Sequence, residues 1–154
     1  MAQDNKFLEA VLKYAVEYEW RVLPARPRGK VPLIKNWPEK ATSDPKTIME
    51  WWERWPDANV AIATGNGLLV LDVDYDKGGA FSTRELREKY NFPTMPTVET
   101  PGPGCHHYLL NTSDEIGNKV DFMPGLDIRG RGGCVISPPS VHPNGGIYQW
   151  SIEP

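Results

Sequence analysis

Cysteine is scarce in this chain: only Cys105 and Cys134 occur in 154 residues, and they lack the paired spacing of a metal-binding motif. A disulfide framework is therefore excluded as the organising principle, and a reducing, cytoplasmic setting is expected. Both thiols are read as small buried residues rather than nucleophiles. No apolar run approaches the ~20 residues of a membrane span. The first residues lack the pattern of a secretory signal, so no membrane partner is expected. Internal repeats and low-complexity tracts are absent too.

Neither sign of charge dominates. A net charge of −3 argues on its face against a nucleic-acid partner, but the charge is unevenly spread. Between Arg21 and Lys40, six basic residues (Arg21, Arg26, Arg28, Lys30, Lys35 and Lys40) stand against Glu39 alone. That segment is +5 and the remainder −8. It is either a solvated basic loop or a surface for phosphate-bearing partners. Hydrophobic residues make up 40% and charged residues 24%, enough for one globular domain over residues 1–154 with a sizeable core.

Phe7, Leu8, Val11, Leu12, Ala15 and Val16 fall on one stripe, which predicts an amphipathic helix from about Asn5 to Tyr18. Trp20–Leu23 reads as a short strand ended by Pro24. The proline-rich basic segment that follows reads as loop. Ser43-Asp44-Pro45 opens a second helix, with a cap residue followed by proline at the first helical position. Ile48, Trp51, Trp52 and Trp55 form its apolar face, which is expected to be core rather than a base-stacking surface. Asn59–Ala63 is a strand. Thr64-Gly65-Asn66-Gly67 turns it into Leu68–Asp74, so these two are expected to form a hairpin. Ser82-Thr83-Arg84-Glu85 resembles a capping box opening a helix to about Tyr90. Strand candidates follow at Thr97–Thr100, His106–Leu110, Leu126–Arg129, Cys134–Ser137 and Ile147–Trp150. Helices come early and strands late, which predicts an α+β domain with a mixed or antiparallel sheet.

The chemistry centres on Leu68-Leu69-Val70-Leu71-Asp72-Val73-Asp74. On a strand, residues i and i+2 share a face, so Asp72 and Asp74 project together while Leu71 and Val73 point the other way. Two carboxylates held side by side repel unless one is protonated or a cation sits between them. They are either solvated residues at a strand end or ligands of a hard divalent ion such as Mg²⁺ or Mn²⁺. A calcium-binding EF-hand loop is excluded, because its glycine and glutamate positions hold Lys77 and Thr83. A haloacid-dehalogenase-type phosphatase would need a doubly wound α/β architecture, which the late strands do not support. A glycosyltransferase Asp-x-Asp site stays open, although the chain is short for one.

Two further stretches bear on the site. Thr100–Gly104 is a Gly/Pro turn that delivers Cys105-His106-His107-Tyr108 onto a strand, with the two histidines on opposite faces. One is expected to face the site and the other to face away. In Gly125-Leu126-Asp127-Ile128-Arg129-Gly130, Asp127 and Arg129 share a face. They form either a local ion pair or a third metal ligand beside a phosphate-gripping guanidinium.

Several motifs occur in order along the chain. They are Lys30-Val-Pro-Leu33, Ala41-Thr42, Asp44-Pro45, Trp51-Trp52, Ile62-Ala-Thr-Gly65, Asp72-Val-Asp74, Gly79, Thr100-Pro-Gly102, Gly104-Cys-His106, Gly125-Leu-Asp127-Ile-Arg129-Gly130 and Ser137-Pro-Pro-Ser140-Val-His142. This ordered set, from about Ala10 to Trp150, resembles the bifunctional DNA primase/polymerase (prim-pol) domain of the archaeo-eukaryotic primase superfamily, found in replication proteins of plasmids, phages and other mobile genetic elements.

The resemblance implies a primase catalytic core: an RRM-like mixed or antiparallel sheet with flanking helices, plus a small N-terminal α/β part. It implies a template-directed DNA primase/polymerase that joins nucleotides and releases pyrophosphate. Asp72, Asp74 and Asp127 would be the metal ligands for a pair of Mg²⁺ or Mn²⁺ ions, and His106 a catalytic histidine on the nucleotide's phosphates. Arg129, His142 and Lys30 would be nucleotide-binding residues. The partners implied are a single-stranded DNA template, a primer, NTP or dNTP substrates, and a helicase domain or subunit. Family members usually continue into further domains, so the chain is expected to be the N-terminal part or a fragment of a larger replication protein. Arg131, Pro103 and His107 depart from the family pattern, but none of them alters the acids. The competing readings are a phosphatase or nuclease using the same carboxylates, and an inactive nucleic-acid-binding domain.

Overall fold

A computed structural model describes residues 4–154. In chain order its elements are α1 (Lys6–Glu17), β1 (Val22–Ala25), α2 (Trp37–Lys40), α3 (Pro45–Arg54), β2 (Asn59–Ala63) and β3 (Leu69–Asp74). A 3-10 turn at Tyr75–Lys77 leads to α4 (Gly79–Lys89). Then come β4 (Thr97–Thr100), β5 (Gly104–Leu109), β6 (Lys119–Met123), β7 (Leu126–Arg129), β8 (Cys134–Ser137) and β9 (Gln149–Ile152). The architecture is α+β with antiparallel sheets and few helices, as the distribution of patterns predicts. Among the described residues no helix is long and apolar enough to cross a membrane. The chain divides into two compact units, Met1–Ala63 with Cys134–Tyr148, and Thr64–Gly133 with Gln149–Pro154.

The first unit sets α1 and α3 on an antiparallel sheet of order β1-β2-β8. Asn5 caps α1, its side-chain oxygen accepting from the amides of Phe7 and Leu8 at 3.0 and 3.2 Å. The buried face is Val11, Tyr14 and Ala15, whereas Val16 is 60% exposed. The stripe is rotated towards Tyr14 because its hydroxyl finds a buried acceptor, the Pro138 carbonyl, at 2.6 Å. In α3, Asp44 accepts from the Thr47 amide at 3.2 Å and Pro45 opens the first turn. Ile48 and Trp52 are buried, and the Trp52 indole donates to the Ala58 carbonyl at 3.2 Å. Trp51 and Trp55 are only half-buried.

Pro24 does not end β1 but lies inside it, opposite Val60. Val60 directs both its amide and its carbonyl to the Ser140 hydroxyl, at 2.7 and 3.3 Å. Nothing on β2 therefore asks Pro24 for the N–H it lacks. The basic segment is not all loop either, since it carries the short α2. Arg26, Arg28, Lys30, Lys35 and Lys40 are exposed and Arg21 is half-buried.

The second unit is a six-stranded antiparallel sheet of order β6-β7-β3-β5-β4-β9 with α4 on one face. Here the expected β2–β3 hairpin fails. β2 pairs with β1 and β8, while β3 pairs with β5 and β7. The glycine turn between them closes only a Gly65–Leu68 bridge. Both edges of each strand are taken by partners distant in sequence, so local turn chemistry loses to sheet pairing.

α4 begins at Gly79, a turn earlier than the capping-box reading, so Ser82 and Thr83 lie inside it. Their hydroxyls donate to the carbonyls of Pro124 at 2.7 Å and Gly79 at 2.8 Å. β6 escaped the sequence reading because it is an irregular, mostly exposed edge strand. Likewise Ile147 lies outside β9, which starts at Gln149.

Candidate active site

The site is built by register. β3 lies between β5 and β7, so Asp72 stands opposite His106 on one side and opposite Asp127 on the other. Strand alternation puts Asp74 on the Asp72 face. Leu71 and Val73 point the other way, into a core cluster with Cys105 and Leu126 against which Leu86 of α4 packs. Residues from distant parts of the chain thus meet on one sheet face, above an apolar layer.

Two glycines fix where β3 ends. Gly125, at φ +72°, and Gly79 approach so closely that a Cβ at Gly79 would lie 2.5 Å from the Asp74 carbonyl oxygen and 2.8 Å from that of Gly125. The Asp74 amide donates to the Gly125 carbonyl at 2.8 Å. The start of α4, the end of β3 and the β6–β7 turn are locked together at the rim of the acidic face.

The carboxylates line one cleft of about 120 Å³, which Asp121, Lys77 and Gly125 also wall. Asp72 Oδ1 lies 3.4 Å from His106 Nε2. Arg129 Nη2 lies 3.3 Å from Asp127 Oδ2 and 3.7 Å from Asp72 Oδ2. Asp127 Oδ1 accepts from the Asp121 amide at 2.9 Å. Asp74 Oδ1 accepts from the Asp76 amide at 3.1 Å, and its Oδ2 lies 3.9 Å from Lys77 Nζ. Mutual repulsion is thus offset by Arg129 and Lys77. Among the described residues no three His, Cys, Asp or Glu side chains are gathered into a ready ligand set. The donors are nevertheless hard carboxylate oxygens around one small cleft, the chemistry that Mg²⁺ or Mn²⁺ takes. The donor set fits such an ion, provided the oxygens shared with Arg129 are released.

The two histidines divide as alternation predicts. His106 faces the acids. His107 lies on the opposite face, its Nδ1 2.9 Å from Thr97 Oγ1 and its Nε2 3.3 Å from Cys105 Sγ. Thr97 Oγ1 donates to the Met95 carbonyl at 3.0 Å. It therefore accepts from His107 Nδ1–H, which leaves Nε2 to accept from the thiol. Burial, reinforced by the Arg87 charge, pushes His107 down to about 4, so the ring is neutral at neutral pH. Burial also pushes the Cys105 thiol up, against a nucleophilic role.

Lys30 and His142 belong to the first unit. Buried Asn59 ties their loops together. Its Nδ2 donates to the carbonyls of Gly29 and Val141 at 3.0 and 2.8 Å, and its Oδ1 accepts from the Val141 amide at 3.0 Å. Lys30 is exposed and His142 half-buried. Sequence reasoning missed Asn59, Asp121 and Lys77. Asp121 has a positive φ of 49°, a conformation aspartate tolerates, but nothing in the local pattern singles it out.

A family model described as bifunctional DNA primase/polymerase, N-terminal, matches residues 11–154. No curated protein matches the chain significantly.

Proposed function

The chain belongs to the bifunctional DNA primase/polymerase family, and on that footing we propose that it is a template-directed nucleotidyltransferase whose metal ligands are Asp72, Asp74 and Asp127. The observation that carries this reading is the register match of Asp72 with Asp127, with Asp74 on the same face of β3. Three acids from two adjacent strands line one cleft, as a site for divalent cations needs.

Asp72, Asp74 and Asp127 would hold Mg²⁺ or Mn²⁺. When bound there, a pair of such ions supplies activation of a primer 3′-hydroxyl and charge neutralisation of the departing pyrophosphate. The chain's own residues do the rest. His106, beside Asp72, and Arg129, beside both Asp72 and Asp127, meet triphosphate oxygens and cover charge that the metals leave. The Asp121 amide fixes the Asp127 carboxylate in its rotamer. Lys30 and His142 are assigned to the nucleotide on family resemblance. The other exposed basic residues from Arg26 to Lys40 are assigned to the phosphates of a single-stranded template. A helicase domain or subunit is the partner the family suggests.

Incubating the protein with a primed template, nucleotides and Mg²⁺ or Mn²⁺ tests this. Lengthened primers that disappear with Asp72→Asn support the reading. Shortened strands or released phosphate support a nuclease or phosphatase instead. Template binding without chemistry, unchanged by metal and by Asp72→Asn, supports an inactive binding domain.

A further inference from the structure

We propose that Arg129 competes with the divalent cation for the Asp72–Asp127 pair, and that its displacement delivers the guanidinium to the nucleotide's phosphates. The inference rests on the carboxylate reading of the site and deepens it. A single nitrogen, Nη2, serves both acids, 3.3 Å from Asp127 Oδ2 and 3.7 Å from Asp72 Oδ2. Those two oxygens are ones a cation between the strands would need. Both distances exceed the ~2.7–2.9 Å of a strong charge-assisted bond, and neither pair is the bidentate fork that makes arginine pairing tight. The side chains are also partly open to water, at 32% for Arg129, 31% for Asp72 and 23% for Asp127, so the pairing is screened and easily exchanged.

A doubly charged ion in the same place satisfies the acids better than one guanidinium shared between them. Arg129 is then left beside a polyanion on the sheet face it already occupies. Two residues beyond Asp127 on the same strand, it makes the change by rotating its flexible stem, with β7 left in place. The residue thus opposes metal binding and favours nucleotide binding. Ordered addition follows: the metal opens the phosphate clamp.

The test measures binding rather than turnover. Mn²⁺ alone is titrated into wild type, Arg129→Gln, Arg129→Lys and Asp72→Asn, with thermal melts confirming folding. A fluorescent nucleoside triphosphate is then titrated in saturating Mn²⁺. Arg129→Gln is expected to bind Mn²⁺ about fivefold more tightly, the order set by partly exposed ion pairs. The same variant should bind the nucleotide at least about fivefold more weakly. Arg129→Lys should fall between it and wild type on both. A merely structural arginine would weaken both or neither. Unchanged or weaker Mn²⁺ binding in Arg129→Gln, with binding lost in Asp72→Asn, overturns the inference and leaves the carboxylate reading standing. Mn²⁺ binding that survives Asp72→Asn overturns both.

Discussion

Asp72 and Asp127 are direct register partners on adjacent antiparallel strands, and Arg129 Nη2 stands within 3.7 Å of both carboxylates. Like charges placed opposite each other in a sheet cost stability, on the order of 0.2–1 kcal/mol. Arg129 relieves that cost in the folded protein.

Neutralising either acid should therefore separate stability from function. Asp127→Asn keeps an oxygen for the Asp121 amide and removes the repulsion. Its melting temperature is expected to stay level or rise by a few degrees, while primer extension falls at least about a hundredfold. Melts and extension gels on the same preparation check both. A large loss of stability with activity kept in proportion to folded protein would make the residue structural.

Acid should act on this fold through His107. Its folded value of about 4 lies below the ordinary 6.5, so the unfolded chain binds more protons between these values. The contribution to stability is full above about pH 6.5 and is lost as pH falls towards 4. It is on the order of 3 kcal/mol. His107→Phe, which removes the titrating ring, should flatten that part of the stability curve. Urea unfolding at half-unit pH steps measures the difference, and parallel curves for the two proteins would contradict it.

The close approach of Gly79 and Gly125 predicts a sharp steric effect. A methyl group at residue 79 meets the carbonyl oxygens of Asp74, at the end of β3, and Gly125, in the β6–β7 turn, as well as the Val73 side chain. Gly79→Ala should cost on the order of 2–4 kcal/mol. Whatever folds should be less active, because the displaced segment carries Asp74. Chemical denaturation gives the first number and extension by the folded fraction the second.

The site was more legible than the fold around it. Leu69–Asp74 was readable because a short branched-aliphatic run ending in alternate acids has one physical solution, a buried strand with its charges on one face. The same alternation along the neighbouring strand separates His106 from His107. Which strands flank β3 was not readable, since pairing with β5 and β7 depends on loops whose closure leaves no local periodicity. The Thr64–Gly67 turn suggested a hairpin for the same reason: local chemistry permits one, and distant partners prevent it. β6 lacked any apolar alternation strong enough to mark it, so Asp121 went unnoticed although its amide orients Asp127. Lys30 and His142 came from family likeness, and the buried Asn59 that holds their loops together gave no sign in sequence.

Salt should weaken template binding in proportion to the phosphates that the Arg26–Lys40 segment meets. Each contact removed, for example by Arg28→Ala or Lys35→Ala, is expected to lower the slope of log affinity against log salt by about 0.7 for a single strand. Anisotropy of a labelled oligonucleotide between low and moderate salt measures it. An unchanged slope in the double variant would place the template elsewhere.

The most direct measurement is the anomalous scattering of Mn²⁺ in crystals soaked with the metal and a non-hydrolysable nucleotide. Peaks within coordination distance, about 2–2.5 Å, of carboxylate oxygens of Asp72, Asp74 and Asp127 are the predicted result. Mn²⁺ bound only elsewhere, in crystals of protein that still extends primers, would contradict it.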